Sequence, residues 1–243
     1  MSGAFAWGTL AASSLLLGAL LALAVRVGER LLGLVLAFGA GVLISAVAYE
    51  LVEDAFSTSD GGVWVGLGLG AGALVYFVGD ELIDRMGGDK RKSMGGEQEE
   101  GTALAIFLGT VLDGIPESAV IGLTLLEGGG VGVAVLVAVF LSNLPEAIGA
   151  TTGLATAGWR RSRILGLWLL VVLASGLASL AGYGLFGDAP PDAIAFVLAF
   201  AGGAILTMLA ETMIPEAYLR GGKAVGLVTT LGFGLAFAVS ALD

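Results

Sequence analysis

The sequence contains no cysteine and no histidine. The absence of cysteine excludes a disulfide framework, a thiolate metal site and a cysteine nucleophile. The absence of histidine removes the commonest metal ligand and the commonest general base. Charged residues are also scarce: Asp, Glu, Lys and Arg make up 13% of the 243 residues, against about 25% in an average soluble protein. Any polar chemistry therefore falls to carboxylates, amides and hydroxyls.

Basic residues are fewer than acidic ones, and the net charge of −10 excludes a nucleic-acid binder, which needs a basic face for phosphates. Hydrophobic residues make up 57% of the chain, above the roughly 45–50% of soluble proteins. The mean hydropathy of +0.96 excludes both a soluble globular domain and a disordered chain. What remains is an integral membrane protein.

Long apolar segments nearly exhaust the chain. A bilayer core about 30 Å thick needs roughly 20 apolar residues per helix, and eight segments meet this requirement. The sequence therefore predicts an all-α, polytopic membrane protein in which eight transmembrane helices form a single domain over residues 1–243. The one sizeable connection, 86–101, is glycine-rich and charged, and is predicted to be a flexible loop. The predicted helices cover residues 7–25, 31–52, 62–84, 102–126, 130–157, 164–186, 192–217 and 223–242.

Basic residues define the predicted topology. All eleven fall between helices 1 and 2, 3 and 4, 5 and 6, or 7 and 8, and none falls in the other connections or at the termini. The positive-inside rule then predicts that the loop 86–101 is cytoplasmic and that both termini lie outside. We expect a multi-pass protein of the plasma or inner membrane.

Ionisable residues at mid-bilayer are costly and are functional candidates. Asp113 and Glu117 fall near the middle of predicted helix 4, and Glu146 falls near the middle of helix 5 beside Ser142 and Asn143. No Lys, Arg or His lies at that depth, so each carboxylate must be protonated, hydrated or bound to a metal ion. The other acidic residues of interest lie near helix ends, where either interfacial solvation or a role at a pore entrance or exit explains them: Glu50, Glu53, Asp54, Asp80, Glu81, Asp84, Glu211 and Glu216.

The local sequence around these carboxylates repeats. Residues 113–118 (DGIPES) and 142–147 (SNLPEA) both combine a polar residue, proline and glutamate, and 212–217 (TMIPEA) forms a third copy. Proline kinks a helix and frees the carbonyl four residues earlier. Residues four apart share a helix face, so helices 4 and 5 are predicted to build an oxygen-lined site from Asp113, Glu117, Ser142, Asn143 and Glu146. The alternative is that the prolines only shape helix packing and the glutamates are protonated.

This pattern resembles the ZIP family of divalent-metal transporters. The family has eight helices, outside termini and a variable cytoplasmic loop between helices 3 and 4. Its helix 4 signature, His-Asn-x-Pro-Glu-Gly, is matched by residues 113–118, and its helix 5 signature by residues 142–147. Residues 38–55, 70–86 and 211–217 also resemble their family counterparts.

The chain departs from the family at several motif positions. Asp113 replaces the helix 4 histidine, Ser142 occupies the first position of the helix 5 motif, and Asn143 replaces the carboxylate after it. The helix 6 motif of the family often has Ser-Gly-x-x-Glu-Pro, but here Ser179 stands in place of that glutamate. The centre of the family can hold two metals bridged by the motif glutamates. Here one site is expected, and a second site lacks much of its ligand set.

The resemblance implies transport of divalent metal ions by alternating access, with zinc as the family default. An all-oxygen site suits harder ions, so Mn²⁺ or Fe²⁺ is an alternative substrate. We expect no enzymatic activity and no cofactor apart from the transported ion. The expected partners are the metal ion and the lipid bilayer, and the glycine-rich helix faces are compatible with a homodimer.

Two other classes of function stay open. A degenerate family member would bind metal or act as a scaffold without transport, as the missing histidines and the missing helix 6 glutamate would allow. A membrane aspartyl protease is disfavoured, because Asp80 lacks a Gly-x-Gly-Asp context and lies near a predicted helix end. An anion carrier is disfavoured because no basic residue lies in the core.

Overall fold

The computed structural model describes residues 2–25, 27–59, 62–85, 111, 114, 117–127 and 131–241. The regular structure in these ranges is helical throughout, without a strand. We number the helices in chain order: α1 Ser2–Ala24, α2 Glu29–Thr58, α3 Gly62–Arg85, α4 117–124, α5 Val133–Thr156, α6 Arg161–Phe186, α7 Pro191–Gly221 and α8 Ala224–Ser240. A short 3₁₀ turn, Leu125–Glu127, follows α4.

Six of these helices, namely α1, α2, α3, α5, α6 and α7, are long and apolar enough to cross a membrane. Helix α8 is also apolar but has 17 residues, or about 25 Å at 1.5 Å per residue. These helices indicate an all-helical, multi-pass membrane protein. The count of eight spans and the outside termini stay predictions. The predicted loop 86–101 and the first part of predicted helix 4, including Asp113, lie outside the described residues.

Helices α2 and α7 each contain a widened π-helical turn, at Val47–Val52 in α2 and at Leu209–Met213 in α7. Both helices run past their predicted ends at 52 and 217, reaching Thr58 and Gly221. In α7 the helix continues through Pro215, which lies just after the widened turn. Proline lacks the N–H that would bond the carbonyl of Glu211, so the irregular turn coincides with a place where a regular helix would leave that carbonyl unbonded.

Glycine allows neighbouring helices to approach at backbone distance. In the pair α3–α7, a Cβ atom built on Gly72 would lie 2.7 Å from the carbonyl carbon of Phe200, and one on Gly203 would lie 2.8 Å from that of Leu69. The pair α2–α8 is reciprocal in the same way, through Gly41 and Gly232. Only glycine leaves room for such crossings, which fits the small-residue interfaces of membrane helices.

The remaining close pairs involve the first helix and the middle of the chain. Helix α1 packs against both α5 and α6, and α4 packs on α6, where Gly122 lies against Ser179 and Gly182 lies against Ala119. One apolar core is shared by α1, α5 and α6, and a larger one joins α2, α3, α7 and α8 with parts of α4 and α5. Helix α5 therefore lies between the two groups and contacts α2 from the second.

Candidate functional site

Helix α5 carries three of the predicted ligands within two turns. Ser142 and Asn143 are buried and Glu146 is half-buried, and the helix continues through Pro145. The hydroxyl of Ser142 donates to the carbonyl of Val139 at 3.1 Å. Since this bond uses the hydroxyl hydrogen, the lone pairs of the oxygen stay available to a cation. The segment thus offers hydroxyl, amide and carboxylate oxygens side by side in the interior of an apolar helix.

Glu117 begins the described part of α4 and is the most buried of the described carboxylates, with 1% of its surface exposed. The helix that follows shares its apolar core with α5, because Val120 and Ile121 belong to the same cluster as Val135 and Val139. At the far end of α4 the Thr124 hydroxyl accepts a hydrogen bond from the backbone N–H of Gly132 at 3.2 Å. Helices α4 and α5 are therefore held together, with Glu117 on one and Ser142 on the other.

Close helix crossings surround the polar segment of α5. A Cβ atom on Gly39 of α2 would lie 3.3 Å from Cα of Ser142 and 3.1 Å from the Met213 side chain in the widened turn of α7. A Cβ atom on Gly18 of α1 would lie 2.9 Å from Cβ of Ala147. Helices α1 and α2 thus contact α5 near the predicted ligands, and part of α7 lies next to Ser142.

A second cluster of polar side chains lies between α3 and α7. Asp80, Glu81 and Asp84 of α3 and Glu211 of α7 line a cleft of about 280 Å³ together with Phe77. Asp80 is 4% exposed, whereas Glu81 is at the surface and pairs with Arg85 at 3.0 Å. The structure thus gathers four of the residues predicted at a pore entrance or exit, one of which, Glu211, comes from a distant part of the sequence. Only the fold could reveal this grouping, because 130 residues separate Glu211 from Glu81.

Other predicted entrance and exit residues have distinct surroundings. Near the end of α2, Glu53 is exposed and Asp54 is half-buried, while Glu50 accepts a hydrogen bond from the Ser240 hydroxyl at 2.6 Å. Glu216 bonds Arg220, whose side chain is 8% exposed and also lies 3.4 Å from Glu29. Arg220 was not predicted as a partner of Glu216, although its spacing of four residues after Glu216 is typical of helical ion pairs.

Ser179 occupies the position where the resembled motif has glutamate, and it serves helix packing. It is fully buried, and its hydroxyl donates to the carbonyl of Ala4 in α1 at 2.8 Å. A Cβ atom on Gly8 would lie 2.5 Å from Cβ of Ser179, and one on Gly122 would lie 2.9 Å from its carbonyl carbon. A longer acidic side chain has no room at this crossing of α1, α4 and α6.

No group of three or more acidic side chains within metal-binding distance occurs in the described residues. Asp113, the first of the predicted ligands, is outside them. Among the predicted ligands, the described carboxylates are Glu117 and Glu146, supplemented by Ser142 and Asn143. These are hard oxygen donors, of the kind that divalent cations such as Mg²⁺ and Mn²⁺ prefer. In comparisons with known proteins, no family model and no curated protein matches this chain.

Proposed function

We propose that this protein is a divalent-metal transporter of the ZIP type in the plasma or inner membrane. The observation that carries the proposal is the burial of Glu117 in an all-helical membrane bundle, next to the helix that holds Ser142, Asn143 and Glu146. Burying a carboxylate in such apolar surroundings is unfavourable for the folded protein. Intramembrane carboxylates mark ion pathways in transport proteins. The transported ion is the substrate, and Asp113 would complete its ligand set.

The acidic side chains outside this site fit the two ends of a pathway. Glu50, Glu53 and Asp54 stand at the predicted outer end of α2, where their charge raises the local concentration of cations. The cleft of Asp80, Glu81, Asp84 and Glu211 then provides the way out on the predicted cytoplasmic side. Glu216 is a weaker candidate for this pathway than the sequence indicated, because Arg220 neutralises it.

Alternating access would require one group of helices to move relative to another. Helices α4 and α5 carry the site, and both pack on α1 or α6, so these four helices are the natural moving group. The interface they would move along includes Gly39 of α2 against Ser142. Gly39 itself has no side chain that would interlock with Ser142 at this crossing.

The donor set favours a hard divalent ion over zinc. Zinc accepts carboxylate ligands, but without histidine or cysteine the site lacks the donors that favour zinc over Mn²⁺ or Fe²⁺. We therefore propose that Mn²⁺ or Fe²⁺ competes effectively with Zn²⁺ for transport. Metal binding requires deprotonated carboxylates, so uptake should decline as the pH falls.

A second candidate function is metal binding or a scaffold role without transport. Ser179 favours it, since α6 is fixed to α1 and α4 where the resembled family has a ligand. This candidate predicts a Glu117-dependent metal affinity but no movement of metal across a membrane.

Uptake into proteoliposomes tests both candidates. The purified protein is assayed with Zn²⁺, Mn²⁺, Fe²⁺, Co²⁺, Cd²⁺ and Mg²⁺, beside Glu117→Ala and Glu146→Ala. Saturable uptake that both substitutions abolish supports the transporter and names its ion. Metal binding without uptake of any ion in the panel would overturn it in favour of the second candidate. Strong zinc preference without competition by Mn²⁺ would overturn the proposed preference for hard ions.

A further inference from the structure

Glu50 lies in the widened turn of α2 and connects this turn to α8. Its Oε1 atom accepts a hydrogen bond of 2.6 Å from the hydroxyl of Ser240, in the last turn of α8. The preceding residue, Tyr49, contacts the same helix, with its ring centroid 5.0 Å from that of Phe237 and 6.2 Å from that of Phe233. The widened turn thus places two consecutive side chains against one neighbouring helix.

The second oxygen of Glu50 faces the connection between α4 and α5. A Cβ atom built on Gly132 would lie 3.5 Å from Oε2 of Glu50 and 3.2 Å from the Thr124 methyl group. Gly132 is itself bonded to Thr124. The carboxylate of Glu50 therefore lies beside three elements: the widened turn of α2, the end of α8 and the residue directly before α5.

This meeting point lies at one end of the candidate metal site. Thr124 follows Glu117 by seven residues, and Ser142 follows Gly132 by ten, so the contact is roughly 10–15 Å along the helices from the site. Both α4 and α5 end or begin here, and the predicted topology puts this end outside. Helices α2 and α8 belong to the second group of packed helices, whereas α4 and α5 carry the site.

We propose that Glu50 is a positioning residue that closes the outer approach to the metal site. By bonding Ser240 and lying beside Gly132, it holds the start of α5 against α2 and α8, and the path opens when Gly132 moves away from Glu50. The proposal rests on the transport function argued above, but it concerns a different group. It also gives Glu50 a role other than attracting cations, and this difference makes it testable.

Substitutions at Glu50 can separate the loss of its hydrogen bond from the loss of its charge. Glu50→Gln removes the charge but retains an oxygen acceptor for Ser240, whereas Glu50→Ala and Ser240→Ala each remove the bond. Thr230→Ala is the matched control, because it deletes a hydroxyl on the same helix that bonds only the carbonyl of Gly226 among the described residues. Size-exclusion profiles and melting temperatures identify any variant that fails to fold.

Access to the metal site is measured by labelling a single introduced cysteine. The chain has no cysteine, so Ser142→Cys introduces one reactive group at a fully buried position. In liposomes, an impermeant thiol reagent is added from each side in turn, and the labelling rate is measured without metal. The labelling rate reports access to the site and does not depend on transport. Uptake of Mn²⁺ and Zn²⁺ is measured separately, in variants that keep Ser142.

If Glu50 closes the outer approach, Glu50→Ala and Ser240→Ala raise outside labelling roughly tenfold, as expected from losing one hydrogen bond of about 1.4 kcal/mol. Glu50→Gln and Thr230→Ala then stay near the parent rate. Equal loss of uptake in Glu50→Gln and Glu50→Ala, with unchanged labelling in all variants, would overturn the proposal and assign Glu50 to cation attraction. If the labelling rates change as expected but no variant takes up metal, the role of Glu50 in closing the approach is supported and the proposed transport function is refuted.

Discussion

Replacement of Gly72 by alanine should separate α3 from α7. A Cβ atom at this position would lie 2.7 Å from the carbonyl carbon and 3.0 Å from Cα of Phe200. Since ordinary carbon contacts begin near 3.4 Å, one helix must move by most of an ångström, and the obstacle is backbone, which has no rotamer to change. Overpacking of this kind costs about 1–3 kcal/mol. The reciprocal contact of Gly203 on Leu69 would loosen with it.

Gly70 provides the matched control on the same helix. A Cβ atom there meets nothing within 4 Å, so alanine should be neutral or stabilise the helix by about 0.5–1 kcal/mol. We therefore expect Gly72→Ala to unfold more easily than Gly70→Ala by about 1–3 kcal/mol, because both variants gain the same helix propensity and only Gly72→Ala is overpacked. Denaturant or thermal unfolding in detergent, followed by tryptophan fluorescence, measures the difference. Equal stability of the two variants would refute the proposed backbone contact between α3 and α7.

Three further predictions concern polar groups. Arg220→Met should destabilise the fold by about 1–3 kcal/mol, because the half-buried Glu216 loses the charge of Arg220; unfolding in detergent measures this, and a neutral effect would contradict it. Thr151→Val should cost about 1–3 kcal/mol in the same assay, since the indole N–H of Trp168 donates to that hydroxyl at 2.8 Å in the interior, and unchanged stability would count against the bond. Ser179→Glu should abolish folded protein on size-exclusion chromatography, whereas recovery of a well-folded variant would show that α6 has room for an acidic ligand.

The hydropathy of the sequence predicted most helix bounds closely. Helix α3 was expected at 62–84 and runs over Gly62–Arg85, and α6 was expected at 164–186 and begins at Arg161. In both, charged or glycine residues follow directly on an apolar run, so composition and structure change at the same place. These features are local, which is why the sequence displays them.

The ends of α2 and α7 were harder to predict. Both helices continue through acidic segments that reduce the hydropathy, as at Glu53 and Glu216. The widened turn of α7 lies just before Pro215, whereas that of α2 has no proline nearby to signal it. The prediction that helix 7 ends at residue 217 was wrong, since the helix continues to Gly221.

The candidate site was predicted in part. Glu117, Ser142 and Asn143 are buried, as expected for polar residues within apolar segments. The pairing of Glu50 with Ser240 and the joining of Glu211 to Asp80 link residues more than 100 positions apart. No spacing rule in the sequence connects residues so far apart. The acidic members of these pairs were therefore predicted only as residues near separate helix ends. The metal ligand set itself stays a prediction.

The most direct test of the account is divalent-metal uptake by Glu117→Gln in proteoliposomes, beside the wild type and Glu29→Gln. The substitution at Glu117 keeps the size of the side chain and removes the charge that a metal ion requires. Glu29, whose side chain is largely exposed, serves as the control for loss of a carboxylate outside the site. We expect saturable uptake by the wild type and Glu29→Gln, and none above empty vesicles by Glu117→Gln. Undiminished uptake by Glu117→Gln would contradict the claim that the ion passes through a site built on this carboxylate.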